Sequence, residues 1–307
     1  MAPPRLNISI IILRRYPLLQ NIVANGLIFG GTYAVLAAGF ALVFGVARIL
    51  NMAHTAFYMV AAYIIYAFIS MLGMGSMLVS VLAIIIAVIL ATVCYILFID
   101  RVKQHDLTVM VITIAIGMLF QEIILLIFKG DYHGVEPFIK GYLDFGKVRI
   151  TYQHIFIILS SLIALGLIWV LLAKTTMGIA IRAISQDRVA ANLMGINVSR
   201  VILITVGVSA AFAAFAGAVV APNLTIYPQM WMPPLITILA AVVLGGLGSL
   251  KGAIIGAFLL GLVESAVVFL VPLGGYLREA VALVTMLIVL LVRSEGLFGI
   301  AFEEEKL

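Results

Sequence analysis

A chain of 307 residues with 65% hydrophobic and only 10% charged side chains excludes a soluble domain, since soluble domains carry about 25% charged residues. The shortage of charge and the recurrence of long apolar runs predict an all-α, polytopic helical membrane protein. The net charge of +5 then belongs to topology rather than to nucleic-acid binding, and the single Cys94, inside an apolar run, excludes an internal disulfide and a thiolate metal site.

Arg14 and Arg15 follow the short apolar run Ile8 to Leu13 without a small-residue cleavage site. That is not signal-peptide order, and insertion through the first span is expected. The first long apolar run, Leu18 to Val46, exceeds the roughly 30 Å hydrocarbon core at about 1.5 Å per residue, which predicts a tilted, bent or broken segment. Gly26, Gly30 and Gly31 would permit a bend, and the Gly26-xxx-Gly30 spacing also suits close approach of another helix.

The stretch Arg48 to His54, RILNMAH, interrupts hydrophobicity before Ala56 to Leu72 restores it. Asn51 and His54 share a helical face if the helix continues, which makes them candidate pathway residues. The other reading has Asn51 capping the next helix and His54 at the membrane interface. Met77 to Ile99 and Leu107 to Phe128 read as spans. Glu122 is an intramembrane carboxylate with Gln121 beside it and Lys129 nearby, so a functional role and a structural hydrogen bond both fit. Residues 129–153 form the main hydrophilic excursion, expected as a structured external loop, and His154 to Ala173 spans again.

Lys174 to Arg200 carries Lys174, Arg182, Arg188 and Arg200 against the single acid Asp187. Met177, Ile181 and Ile184 recur at helical spacing, as do Val189, Leu193 and Ile196. One or two amphipathic helices lying on the membrane surface are predicted, with a basic face toward the cytoplasm. Gly195 supplies a helix stop, and Asn197 or Ser199 can cap the helix that follows. The segment reads either as a docking platform or as a solvated interfacial helix.

Val201 to Ala221 is the next span, and Tyr227 and Trp231 in the loop 222–234 suit an interface belt. Leu235 to Gly246 is too short to cross alone. It runs into Gly245, Gly246, Gly248, Gly252 and Gly256, where irregular backbone or tight helix contact is expected. No Gly-Lys-Ser/Thr follows at phosphate-loop spacing. Ala253 to Val271 and Tyr276 to Val292 complete eight or nine membrane segments, with broken or re-entrant glycine-rich stretches, and an acidic tail, Glu303 to Glu305, closes the chain.

ALVFGVARILNMAHTAFYMVAAY resembles AVVLGGLGSLKGAIIGAFLLGLV in pattern: an apolar run, an interruption, a second apolar run. Paired interrupted segments point to a transport path between repeats. Placing the platform and C-terminus inside with nine spans divides Lys and Arg almost evenly and leaves Arg5, Arg14 and Arg15 outside. Either the first segment does not cross simply, or a glycine-rich segment is re-entrant.

GFALVFGVARILNMAHTAFYMVAAY, GIAIRAISQDRVAANLMGINVSRV, AVVLGGLGSLKGAIIGAFLLGLVE and the closing LVRSEGLFG together resemble the membrane permease of branched-chain amino acid ABC importers, over most of Asn25 to Gly299. In ABC import permeases the cytoplasmic loop carries a Glu-Ala-Ala-xxx-Gly pattern that docks into the ATPase. Ala190, Ala191 and Gly195 match it here, and Val189 stands in place of the glutamate.

The resemblance implies a single transmembrane permease domain over residues 1–307, multi-pass in a bacterial inner membrane, with a cytoplasmic coupling helix in 174–200. It implies a second homologous permease, two ATPase subunits that bind the ATP, and an external substrate-binding protein, with no cofactor in this chain. Arg182, Asp187, Arg188 and Gly195 are expected to support ATPase docking. Asn51, His54 and Glu264 are candidates for the path, Glu264 more as a bond to a neighbouring helix than as a substrate contact. The substrate expected is a branched-chain or related small amino acid, with urea, a short amide or a sugar as the alternative. An ion-coupled carrier or channel would use paired intramembrane ionisable groups, and neither Glu122 nor Glu264 has a basic neighbour in sequence.

Overall fold

The computed structural model describes residues 8–103, 105–145, 148–293 and 296–298. The acidic tail and Arg5 lie outside the described residues. Eight helical segments are long and apolar enough to cross a membrane. They are α1 (Ile8–Ala47), α2 (His54–Ile65, widening into π-turns to Met71), α3 (Ser76–Cys94, with π-turns to Ile99), α4 (Asp106–Phe128), α5 (Tyr152–Lys174), α8 (Val198–Val220), α10 (Leu250–Leu270) and α11 (Arg278–Val292, entered through a 3-10 turn from Gly274). Two short helices, α6 (Thr176–Gln186) and α7 (Arg188–Leu193), form the platform, and α9 (Met232–Gly245) is the short apolar segment. The hydrophilic excursion 129–153 holds a hairpin of β1 (Tyr142–Phe145) and β2 (Val148–Thr151), and His133 bridges to Ile226 through backbone hydrogen bonds.

Helix α1 is the axis of the molecule and packs against α5, α8, α9 and α10. The first apolar run is one continuous helix, so of the readings tilted, bent or broken it is not broken. Its glycines serve close contact. A methyl group on Gly26 would stand 3.1 Å from the Leu262 Cα, and one on Gly30 3.1 Å from the Phe258 Cα, while Gly261 faces the Gly30 backbone. Small residues on both helices let main chains meet, which is how spanning helices associate when lipid is as apolar as they are.

Contacts along this seam run antiparallel, from Ser265 at the Ile22 carbonyl to Gly248 beside Gly45. Eight described segments are long and apolar enough to cross, the first of them Leu18–Ala47, and the shorter apolar helix α9 lies among them.

Helix α9 has only 14 residues, and the chain before it dips into the bundle. Trp231, 1% exposed, donates from its indole to Gln121 Oε1 at 2.9 Å, seven residues before the end of α4. At about 1.5 Å per residue that is roughly 10 Å below the end of that helix. The glycine-rich stretch following α9 is a tight turn, not a re-entrant one. Gly246 and Gly248 take φ of 100° and 86°, a region that suits glycine, and the Ser249 hydroxyl caps α10 by accepting from the Gly252 amide at 3.1 Å. Of the five glycines expected to pack helices there, Gly245, Gly252 and Gly256 do so against main chain, whereas Gly246 and Gly248 build the turn.

Candidate functional site

The platform is built by caps. Thr175 starts α6 by accepting from the Gly178 amide at 3.0 Å. Asp187, in extended conformation, ends α6 and starts α7: its Oδ1 accepts from the amides of Val189 and Ala190 at 2.8 and 3.0 Å. Gly195, with φ of 85°, stops α7, and Asn197 caps α8 by accepting from the Arg200 amide. One Asp187 carboxylate oxygen is thereby engaged in holding the two helices at their angle, while the residue stays exposed on the platform. Arg182 donates to the Leu172 carbonyl and ties α6 to the end of α5.

The break at Asp187 also reorients the apolar residues. Ile181 and Ile184 of α6 are buried, but Val189 and Leu193 of α7 are 70% and 81% exposed, with Met194 beside them. The apolar stripe of α6 thus packs into the protein, and that of α7 faces away from it. Ala191 is buried and Ala190 exposed, so the Ala-Ala pair straddles the surface. An open hollow of about 610 Å³ is bordered by Arg188, Val189, Asn192, Gly195 and Asn197. It offers a partner an apolar knob rimmed by polar groups, a combination suited to a docking contact. Val189, Leu193 and Met194 are absent from the expected site because helical spacing reads the same whether a stripe faces in or out.

Arg188 joins this surface to the core. Its Nη2 donates to the Val46 carbonyl at 2.9 Å, on the last turn of α1, which ends as Arg48 adopts φ of 50°. Burial, then the neighbouring Arg48, lower the pKa of Arg188 from its ordinary value. A hollow of about 510 Å³ adjoins the same place, bordered by Gly45 in the last turn of α1, Arg48 just after it, Ser185 and Gln186 of α6, and Gly248 and Ser249 before α10. The two interrupted segments that resemble one another in sequence thus turn side by side, next to the platform.

Within the bundle the candidate path residues are pins. His54 is 1% exposed, not interfacial. Its Nε2 donates to the Leu36 carbonyl at 3.0 Å, so Nδ1 accepts from the Ser209 hydroxyl at 3.1 Å, and the ring joins α1, α2 and α8. Asn51 is buried, accepts from the Ala53 amide at 3.2 Å and makes a turn before α2 without capping it. Glu122 is exposed on α4 and accepts from Gln121 at 3.3 Å.

Glu264 is 1% exposed and accepts from the hydroxyls of Tyr33 at 3.1 Å and Thr237 at 3.0 Å, binding α10 to α1 and α9. The lack of a basic neighbour in sequence is overturned in space: Arg278 Nε lies 3.9 Å from Glu264 Oε2, across the turn between α10 and α11. Among the described residues no cluster of side chains is suited to hold a metal.

Comparison with known proteins accords with this architecture. Residues 22–290 match the family described as branched-chain amino acid transport system / permease component. The chain is similar to the high-affinity branched-chain amino acid transport system permease protein BraD of Pseudomonas aeruginosa, 31% identical over 301 residues, 92% of this chain and 96% of that one. It is similar to the probable branched-chain amino acid transport permease protein LivH of Methanocaldococcus jannaschii, 26% identical over 94% of this chain and 95% of that one. A shorter match, 28% identical over 50% of this chain and 49% of the other, is to the galactose/methyl galactoside import permease protein MglC of Salmonella typhimurium.

Proposed function

Because the chain belongs to the branched-chain amino acid transport permease family, we propose that it lines the path of an ATP-driven importer for branched-chain or related small amino acids. It is a multi-pass membrane permease, not an enzyme, and works with other subunits of its transport system. The proposed assembly pairs it with a second homologous permease, two ATPase subunits that carry the ATP, and an external binding protein, in a bacterial inner membrane. The platform end faces the cytoplasm.

The observation that carries the coupling is the Arg188 bond to Val46. A partner seated on Val189, Leu193 and Met194 would displace α7, and Arg188 hands that displacement to the end of the axial helix. The adjacent turns before α2 and α10 lie in its way. Nucleotide-driven closure of the ATPases then shifts the population between outward- and inward-open pairs of permeases.

The test is to purify the chain from its native membrane in mild detergent, identify its companions, and measure leucine uptake by the assembly. ATPases and a second permease are expected to co-purify. Arg188→Glu is expected to lower uptake about tenfold, the size of one charge-assisted contact, while the assembly stays intact. Normal uptake by that variant sinks the coupling role. Uptake by the chain purified without ATPases favours an ion-coupled carrier, and uptake of galactosides in place of amino acids favours the sugar alternative.

A further inference from the structure

Helix α4 is pinned to the bundle along one stripe. Thr113 accepts from the Met52 amide at 3.1 Å, a methyl group on Gly117 would stand 2.9 Å from the Trp231 ring, and Gln121 Oε1 accepts from the Trp231 indole. Residues four apart share a helical face, so these three fix the rotation of α4. The outward stripe is thereby set: Val111, Ala115, Met118, Glu122 and Leu126 are all exposed.

A carboxylate on that stripe is hard to reconcile with lipid. Glu122 lies six residues before the end of α4, which at about 1.5 Å per residue is roughly 9 Å below it. Among the described residues of the eight apolar spans, it is the one charged side chain that is exposed and more than a turn inside its helix. Glutamate lacks the long stem by which lysine and arginine snorkel to the interface. Its contacts do not neutralise it either. The Gln121 amide donates to Oε1 at 3.3 Å, and among the described residues no ion pair includes Glu122.

Ionisable groups within a span face a bundle interior or a water-filled cavity, because hydrocarbon leaves the charge unsolvated. The interior of this bundle is on the other side of α4. A covering helix would have to bring a donor to each open acceptor site of the carboxylate, whereas water supplies them from any direction.

We infer that the outward stripe of α4 borders water and is this chain's wall of the path between the two permeases, with Glu122 as its hydrated acid. Gln121 links that acid to Trp231, so the wall is tied to the chain before α9 by two hydrogen bonds. The inference rests on the importer reading given above and deepens it, since it names the face that lines the path.

The test is cysteine accessibility in the assembled transporter, in membrane vesicles of both orientations, with Cys94→Ala removing the only native thiol. The probe is trimethylammonioethyl methanethiosulfonate, a membrane-impermeant cation that reacts with the thiolate, the form that water favours. Glu122→Cys and Met118→Cys, one turn deeper, are expected to react at least tenfold faster than Leu159→Cys. Leu159 is 54% exposed and sits at a similar depth on α5, seven residues from its start. Met118→Cys keeps the acid and stands in if Glu122→Cys does not assemble.

Reaction no faster than at Leu159→Cys overturns the wall. So does protection of both positions in the assembly with ready reaction in the chain alone in nanodiscs, which would seat protein there instead of water. Leucine uptake by the Cys94→Ala parent with neither position reactive overturns the wall alone. Reaction at both positions with no amino-acid uptake by that parent overturns the importer reading and leaves water against α4.

Discussion

The apolar segments Leu18–Ala47, within α1, and Gly274–Val292, which ends in α11, have the same mean hydropathy, 2.0, yet 78% of the most apolar stretch of the first is buried in the protein and 6% of that of the second. Hydropathy reports the solvent a helix tolerates, and lipid and protein interior are nearly the same solvent. What separates the two is size. The stretch from Gly26 to Ala47 is dense in glycine and alanine, which lets neighbouring backbones close in on every side. Arg278 to Val292 contains no glycine and ends in leucine and valine, bulky groups that fill lipid or the face of another permease. Centre and edge of this bundle differ by side-chain volume, not by polarity.

The comparison can be broken first at its tightest point. Gly30→Leu places a side chain where even a methyl group stands 2.9 Å from Phe258 Cδ1 and 3.1 Å from its Cα. A loss of about 3 kcal/mol or more is expected, seen as a collapse of the folded fraction in size-exclusion chromatography. A variant that purifies with the thermal midpoint of the parent would refute the α1–α10 seam.

His54→Ala tests the polar pins of the same region. It strips the Leu36 carbonyl and the Ser209 hydroxyl of their shared partner, at an expected cost of about 2 kcal/mol in the thermal or denaturant midpoint. Little change there would mean that water enters freely between α1 and α8.

At the other extreme, Leu287→Ala on α11, where the side chain is 55% exposed, is expected to move stability by no more than about 0.5 kcal/mol. A larger loss confined to the assembled transporter would sharpen the comparison by placing α11 against a second permease rather than lipid.

The spans were legible in sequence because a run of twenty apolar residues has few other uses. Their limits fell within a few residues of the helices, and the hydrophilic excursion and the platform were in place. Which span forms the axis was less legible, since the clue lay in glycine spacing, which serves bending and contact equally. The outward turn of Val189 and Leu193 could not be read, because it depends on one Asp187 cap that rotates α7 away from the face of α6.

The partners of the interior polar groups are long-range as well. His54 finds Ser209, 155 residues later, and Glu264 finds Tyr33, 231 residues earlier. Arg278 escaped notice at the start of what reads as an ordinary last span. Its meaning comes from Glu264, an acid 14 residues before it, which sequence neighbourhood does not display.

The inward dip before α9 also has a spectroscopic meaning. The chain holds two tryptophans: Trp169 looks outward with 60% of its surface exposed, and Trp231 is sealed at 1% and bonded to Gln121 between α4 and α9. One indole therefore reports the surroundings of the bundle, the other a single internal hydrogen bond beside the shortest crossing. Any transport cycle that slides α9 along α4 must change the light emitted by the second while leaving the first unchanged.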